Sequence, residues 1–496
     1  MQLNLSNVEY AYPASTEPTL RGVTATFPQG WTGIVGDNGS GKTTLALIAC
    51  GMLIPDSGSV STMPLSQYCA QSPNHPPGNL EDFALSYDDT AVRLRHDLLL
   101  DDEWAWRYET LSSGQQKRLQ VACALWAKPD VLVMDEPTNH VDAPTREAIC
   151  IALGSFKGIG LLISHDRELL DMLCSRCLFV SNGSATIRPG GYTQASGQAE
   201  IERSSAIRNR ENARRERDRI EREAQRRREE ASRSASRRSL KDASRKDSDA
   251  REKRGRYVIS GQDGRAGKLS SRMERRLADS EDKLGTARVE KRYDSNIWIE
   301  ASPSARKVLL RLEGTIVPLG GGAVLATPPL HIGNSDHIGL VGGNGVGKST
   351  LVRLIAESLS DATRVLYIPQ EPNEEQKHAA VDSLRSLDRT ERGRVLSVIA
   401  QLNSEPERIL ESSEVSPGEM RKLMLALGIM DKPELVIMDE PTNHLDLGSI
   451  EALERVLGSY PGALLLVSHD AGLIRAVTNI TWTIRGSIDG FRLVLS

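Results

Sequence analysis

Three segments of this sequence are written twice. GDNGSGKTT at 36–44 returns as GGNGVGKST at 342–350, VLVMDEPTNHVD at 131–142 as LVIMDEPTNHLD at 435–446, and LLISHD at 161–166 as LLVSHD at 465–470. The displacement is 306 residues from Lys42 to Lys348, and 304 both from Asp135 to Asp439 and from His165 to His469. One order and one near-constant displacement identify a duplicated domain. A chain of 496 residues holds two such domains of ordinary size, with about a hundred residues left over.

Within each copy, short apolar runs end at polar residues. WTGIV (31–35) and HIGLV (337–341) run into the glycine loops, VLVM and LVIM into an aspartate, LLIS and LLVS into a histidine. Uninterrupted apolar runs of this length read as strands buried on both faces. Helices are predicted to open at Lys42 and Lys348, which gives each glycine loop the strand–loop–helix context that phosphate binding requires. Polar side chains at strand C-termini stand where open α/β sheets bind ligands. The fold class is α/β: two P-loop ATP-binding domains, at 1–191 and 307–496, joined by a helical-hairpin linker at 192–306.

The linker differs in composition. The chain's net charge of −4 conceals 28 Lys/Arg against 18 Asp/Glu in residues 201–290. Ala206, Ala213 and Ile220 recur every seven residues, with Ala224 and Ala231 on a neighbouring stripe. After Gly255, Gly261, Gly264 and Gly267, the residues Leu269, Met273, Leu277 and Leu284 resume helical spacing. Two helices around a glycine-containing tip predict an antiparallel hairpin with a narrow apolar seam. Between Thr193 and Arg292 the only aromatic residue is Tyr257. Stacking on splayed bases needs aromatic platforms, so these arginines suit phosphate contacts and the shape of structured RNA instead. No run reaches the roughly 18 apolar residues of a membrane span, and the first residues lack a signal peptide's basic and apolar regions. A cytoplasmic protein is expected. Cys174 and Cys177 have C-x-x-C spacing, but no second pair completes a zinc site, and they read as reduced thiols on a helix.

The paired motifs carry chemistry. Gly36, Asp37, Asn38, Gly39, Ser40, Gly41, Lys42, Thr43 and Thr44 form one phosphate loop. Gly342, Gly343, Asn344, Gly345, Val346, Gly347, Lys348, Ser349 and Thr350 form the other. Glycines let backbone N–H groups turn inward around phosphates at the positive end of a helix dipole. Lys42 and Lys348 are expected to reach the β- and γ-phosphates, and the hydroxyls of Thr43 and Ser349 to bind Mg2+. Asp135 and Asp439 can hold Mg2+ directly or through water. Glu136 and Glu440 are the candidates to polarise an attacking water, and His165 and His469 to sense the γ-phosphate. LSSGQQKR at 111–118 and VSPGEMRK at 415–422 place Ser112, Gly114 and Gln115, and Ser416, Gly418 and Glu419, at helix N-termini. A helix N-terminus is a second phosphate-binding end, although an ordinary N-cap is the simpler use of such a serine. Gln71 and Gln370 recur between these motifs and are candidates to sense Mg2+ or water.

Phosphate loop, glutamine loop, signature, DEPTNHxD and switch histidine, in this order and twice in one chain, resemble ATP-binding cassette ATPases. EPTNH in both copies and a basic linker between them resemble specifically the ABC-F family of ribosome-associated ATPases. The resemblance implies two cassettes that pair head to tail within a functional monomer. ATP then lies between one phosphate loop and the other copy's signature, so that Lys42 faces Ser416 and Lys348 faces Ser112. It also implies that Asn139, His140 and Asp142, with Asn443, His444 and Asp446, line the seam. The linker hairpin is expected to reach the ribosome's peptidyl-transferase centre, contacting rRNA and tRNA, in translation regulation or in antibiotic resistance by ribosome protection.

Departures from the family pattern are local. Ser113 and Pro417 stand where the common signature has glycine. Tyr12 can stack on adenine at the first site, but no aromatic residue occurs from Leu310 to Leu340 to serve the second. The stretch from Gln71 to Leu111 is too short for an extra helical arm, and no long C-terminal extension is expected. A DNA-repair or chromosome-organising ATPase would interrupt one cassette with its coil, whereas here the linker separates two whole copies. The ATPase subunit of a transporter would give the basic linker no evident role.

Overall fold

Duplication is visible strand by strand. The computed structural model describes all residues except 14–16, 62–64, 140, 239–261, 287–301, 321, 361, 405, 407–408, 410–414, 488–489 and 496. In the first copy a six-stranded sheet runs in the spatial order Ser66–Cys69, Val131–Asp135, Ile159–Ile163, Gly30–Val35, Cys174–Ser181, Ser184–Pro189. The first five strands are parallel and the last is antiparallel. The second copy repeats this order with Val365–Ile368, Leu435–Asp439, Ala463–Val467, His337–Val341, Ile480–Ser487 and Gly490–Leu495. It adds the hairpin Thr315–Gly320/Ala323–Thr327 to the sheet's edge through a parallel pairing with Gly490–Leu495.

The apolar runs are continuous because both sheet faces are covered. Val131 and Val133 pack with Leu45, Ile48 and Phe27, beneath the Lys42–Ala49 helix and the antiparallel strands Gln2–Tyr10 and Leu20–Pro28. Leu132 and Met134, pointing the other way, pack with Leu119, Ala122, Ile149 and Leu153 of the helices Ser113–Trp126 and Ala143–Gly154. Each fully buried aliphatic side chain contributes roughly 1.5–3 kcal/mol. Register then brings the polar strand ends together: Asp135 pairs with Ile163, and Asp439 with Val467. The loops that follow these strands all open on one edge of each sheet.

The C-x-x-C pair is not helical. The helix Arg167–Leu173 stops at Leu173, and Cys174 opens a strand that pairs with Trp31 of the central strand. Sheet pairing overrides the helical leucine spacing here, as tertiary context commonly overrides local propensity. Both thiols are buried and free, and burial holds both well above the usual thiol range, Cys177 at about 12. They are inert side chains of the core.

Residues 196–291 form a unit separate from the one that contains both copies. Its helices belong to the runs Tyr192–Arg238, about 70 Å long at 1.5 Å per residue, and Gln262–Thr286. Ile220, Ala224 and Ser280 are buried, Met273, Leu277 and Leu284 are half-buried, and Arg228 Nε meets Glu274 at 3.0 Å. Two expectations need correction. Gly264 and Gly267 lie inside the second helix rather than in a tip, and Leu269 is 44% exposed instead of seated in a seam. A helical glycine costs about 1 kcal/mol, which the surrounding helix formers absorb. Gly255, Gly261 and Tyr257 lie outside the described residues, as does the whole segment 239–261 that joins the helices.

Candidate functional site

Glycines shape both phosphate loops where a side chain would clash or the backbone is left-handed. A side chain on Gly36 would meet the Val180 carbonyl at 2.2 Å. Gly41 and Gly347, which cap the following helices, are left-handed, with φ of 99° and 96°. Lys42 Nζ donates to the carbonyls of Gly36 and Asp37 at 2.7 and 2.9 Å. Lys348 Nζ does the same to Gly342 and Gly343 at 2.9 and 3.0 Å. Burial lowers both ammonium pKa values. Behind each lysine a hydroxyl donates to an aspartate: Thr43 Oγ1 to Asp135 Oδ2 at 3.1 Å, and Ser349 Oγ to Asp439 Oδ2 at 2.7 Å. Tyr68 adds a 2.8 Å bond to Asp135. Burial pushes both aspartates up, because it disfavours the charged form. A hydroxyl and a carboxylate per site are hard oxygen donors. They fit Mg2+, which takes few protein ligands and completes its shell with phosphate and water oxygens.

Glu136 and Glu440 are strained and half-satisfied. Their φ angles are 48° and 47°, a conformation that costs a non-glycine residue on the order of 1 kcal/mol or more. It is fixed by amide bonds to Ile163 O at 2.9 Å and Val467 O at 2.8 Å. In each glutamate Oε2 accepts the following histidine's backbone N–H at 3.2 Å. Oε1 lies near the ring, 3.2 Å from His165 Nε2 and 3.4 Å from His469 Nε2. Neither contact is a hydrogen bond, and Oε1 of both glutamates is buried with no hydrogen-bond partner. Burial pushes Glu136 up to about 8 and Glu440 up to about 7. It pushes His165 down to about 3 and His469 to about 4, so both rings are neutral. His469 Nε2 lies 2.9 Å from Lys348 Nζ. The same Nε2 lies 2.9 Å from Asn344 Oδ1, so it accepts from the ammonium in one tautomer and donates to the amide oxygen in the other.

Residues of both copies meet around these loops. Asn38 of the first loop donates from its backbone to Asp446 Oδ2 at 3.1 Å and from its side chain to the His444 carbonyl at 3.0 Å. Asp142 Oδ2 stands 3.7 Å from where a Gly343 Cβ would be. A cavity of about 660 Å³ is lined by Lys348, Ser349, Gln370, Asp439, Glu440 and His469 of the second copy and by Ser113, Asn139 and Glu136 of the first. Ser112 itself is an N-cap: its hydroxyl accepts from Gln115 N at 3.4 Å, while Gln115 Oε1 accepts from Ser112 N at 2.9 Å. Ser416 caps its helix in the same way and donates to Glu419 Oε2 at 3.1 Å. Gly114 leaves an added Cβ in ordinary contact, whereas one on Gly418 would press on the His444 carbonyl at 2.7 Å. Gln71 is exposed. His140 lies outside the described residues. Ion pairs flank the cavity: Arg167 with Glu454, and Arg475 with Glu168 at 2.6 Å.

Sequence reasoning passed over several residues. Lys117, buried, donates to the carbonyls of Ala70 and Gln71 at 2.8 and 3.0 Å. Its repeat counterpart, Arg421, bonds the carbonyls of Gln370 and Asn443. Each cation ties a signature helix to its glutamine loop. The signal was present, since QQKR and EMRK both place a basic pair at the 304-residue displacement. Leu319 was also missed; its side chain closes over Gly347, 2.4 Å from the position of an added Cβ.

Tyr12 and Leu319 make the two sites unequal. Tyr12 bonds Thr44 Oγ1 at 3.0 Å through its hydroxyl, stands edge-on to Tyr10 at 5.1 Å and is 42% exposed, leaving ring surface available. Tyr12→Ala is expected to weaken ATP binding at the first site about two- to ten-fold, the equivalent of one ring-stacking contact. Titration in a Lys348→Ala background checks this, with a Lys42→Ala background as the unaffected control. Equal losses in both backgrounds would remove Tyr12 from the first site.

Strand order, phosphate loops and strand-end carboxylates define a P-loop ATPase with two ATP-binding cassettes in one chain. The family model described as ABC transporter matches residues 20–139 and 327–443. The chain is 27% identical to ATP-binding protein Uup of Caulobacter vibrioides, over 91% of this chain and 72% of that one. It is 26% identical to Ribosome protection protein VmlR of Bacillus subtilis (strain 168), over 96% and 85%. Identity to Probable ATP-binding protein YheS of Escherichia coli (strain K12) is 27%, over 93% and 75%. RNase-L Inhibitor shares the fold at 17% identity, with a TM-score of 0.63 over 99% of this chain and 90% of that one. The chain carries the ABC transporter domain twice, its relatives Uup, VmlR and YheS are ABC-F proteins, and it is an ATPase. No helix among the described residues is long and apolar enough to cross a membrane.

Proposed function

We propose that this ATPase acts on the ribosome, using ATP-driven pairing of its cassettes to set the basic linker against rRNA and tRNA. The domains are cassettes at 1–191 and 307–496 and a linker at 192–306. The carrying observation is charge separation: 28 Lys/Arg against 18 Asp/Glu in residues 201–290, in a chain whose net charge is −4. A basic, nearly aromatic-free pair of helices suits a folded polyanion read through its phosphates. Similarity to a ribosome protection protein over 96% of the chain supports the same reading. Translation regulation and protection from antibiotics are the two uses such a machine serves, and the cytoplasm is where it would work.

In this reading Lys42 and Lys348 leave their loop carbonyls for the β- and γ-phosphates. The signature helix of the opposite copy, at Ser113–Gly114 or Pro417–Gly418, turns its N-terminus towards the γ-phosphate. Thr43 with Asp135, and Ser349 with Asp439, hold Mg2+, which when bound neutralises charge on the β- and γ-phosphates. Glu136 and Glu440 offer Oε1 to the attacking water, and neutral His165 and His469 stand beside them to contact the γ-phosphate.

The test is co-sedimentation of the Glu136→Gln/Glu440→Gln variant with ribosomes. Pelleting is expected with ATP and not without it. Retention on duplex DNA, with no ribosome binding at any ATP concentration, would transfer the protein to the DNA-processing class.

A further inference from the structure

Asn403 precedes the second signature and holds a left-handed backbone, with φ of 58°. Its carbonyl accepts from Lys422 Nζ at 3.1 Å, and the same ammonium donates to Ser449 Oγ at 2.6 Å. From this anchored position in the second cassette, its side-chain Nδ2 donates to Asp37 Oδ1 of the first phosphate loop at 2.9 Å. It also lies 3.4 Å from Asp446 Oδ1. Asp37 thereby spends its carboxylate on an amide of the opposite cassette.

The duplication supplies an internal control. At the repeat displacement from Asn403 stands Leu99, also left-handed with φ of 52°, whose carbonyl accepts from Arg118 NH1 at 3.2 Å. Backbone conformation and basic tie are both repeated. The side chains are not: Leu99 is apolar and 62% exposed, and Gly343 stands where the first loop has Asp37. Asn tolerates the left-handed region far better than Leu. The cross-cassette bond therefore belongs to one composite site and has no chemical counterpart at the other.

We infer that Asn403 is a positioning residue for the first ATP site, holding the Lys42 loop, through Asp37, in its phosphate-binding geometry against the second cassette. A loop held in advance loses less freedom when ATP binds. The bond also holds Asp37 Oδ1 against an amide donor of the opposite cassette. The inference rests on the assignment of Lys42 and Lys348 to separate ATP sites.

The test is titration of a fluorescent ATP analogue with Mg2+ on the full chain, combined with KM and kcat measurements. Asn403→Gly keeps the left-handed backbone and removes the amide. In a Lys348→Ala background, it should raise Kd and KM about three- to ten-fold, the range for one ordinary net hydrogen bond. At saturating ATP, kcat should stay within about two-fold, since the bond acts on binding geometry rather than on the water. In a Lys42→Ala background nothing should change. Asp37→Gly, which installs the second loop's own residue, should reproduce the loss, and Asn403→Gly added to it should cost nothing more. The inference is overturned by equal weakening of both sites, by an unchanged first site, or by an Asn403→Gly effect that persists undiminished beside Asp37→Gly. Stoichiometry in the same titration shows whether each lysine variant removes one site. If neither does, the inference falls together with the site assignment, and the two failures stay distinguishable.

Discussion

Replacing Glu136 and Glu440 together by glutamine should lower ATP turnover about 10²- to 10³-fold, the contribution of a positioned general base, with nucleotide affinity nearly unchanged. Both glutamates are held in a left-handed backbone by their own amide bonds to Ile163 and Val467. Both use Oε2 on a histidine N–H and keep Oε1 buried without a hydrogen bond. An unmade bond on a buried carboxylate oxygen costs free energy unless a ligand completes it. Glutamine retains size and one acceptor, so the backbone, the phosphate loops and the lysines should stay in place while the water loses its base. Steady-state phosphate release and equilibrium nucleotide binding, measured on the same preparation, decide the matter. Turnover at the parental rate would clear both glutamates of the chemistry. A joint loss of binding and turnover would make them supports of the loops instead.

The second large effect concerns the linker. Arg251, Lys253, Arg254, Arg256, Arg265 and Lys268 replaced together by alanine should lower the log–log salt slope of ribosome binding by about 4 to 5. Each phosphate contact contributes roughly 0.7 to 0.9 to the log–log salt slope, so six contacts make affinity fall about 10³-fold between 50 and 200 mM salt. The variant should bind more weakly at low salt and lose affinity less steeply across that window, with no base preference lost, because phosphates carry no sequence. Ribosome-independent ATP hydrolysis should stay near the parental rate, since these residues belong to the linker and the ATP sites to the cassettes. Co-sedimentation of the ATP-trapped protein across a salt series measures the slope. An unchanged slope, with translational or drug-protective activity intact, would leave a solvated charged linker.

Much of the fold was legible because its signals are local. A strand buried on both faces must be apolar throughout, and VLVMD and LVIMD satisfy that as written. A phosphate loop needs glycines at set positions, and a hydroxyl after the lysine sits one residue into the helix. The strand-end aspartates therefore stand within reach of Thr43 and Ser349, as their spacing implied. Where a local signal competed with long-range pairing, it lost. The leucines before Cys174 predict a helix that the central strand ends, and the glycines at 264 and 267 predict a break where the helix Gln262–Thr286 runs on.

The duplicated cassette, its buried strands, the two phosphate loops and the charge of the linker were determined by sequence alone, since each is a periodicity or a motif within a few residues. Tertiary structure decided how the copies touch. It turned Ser112 into a cap and brought Ser113 to the cavity, buried Lys117 and Arg421 against carbonyls, and set Asn403 against Asp37. It also placed Arg167 on Glu454, where the repeat counterparts are Ala471 and Cys150 and can form no ion pair. These contacts join residues hundreds of positions apart, and no spacing rule links such residues. Packing between two similar but unequal surfaces selects them, and that selection makes two nearly identical sequences into two different sites.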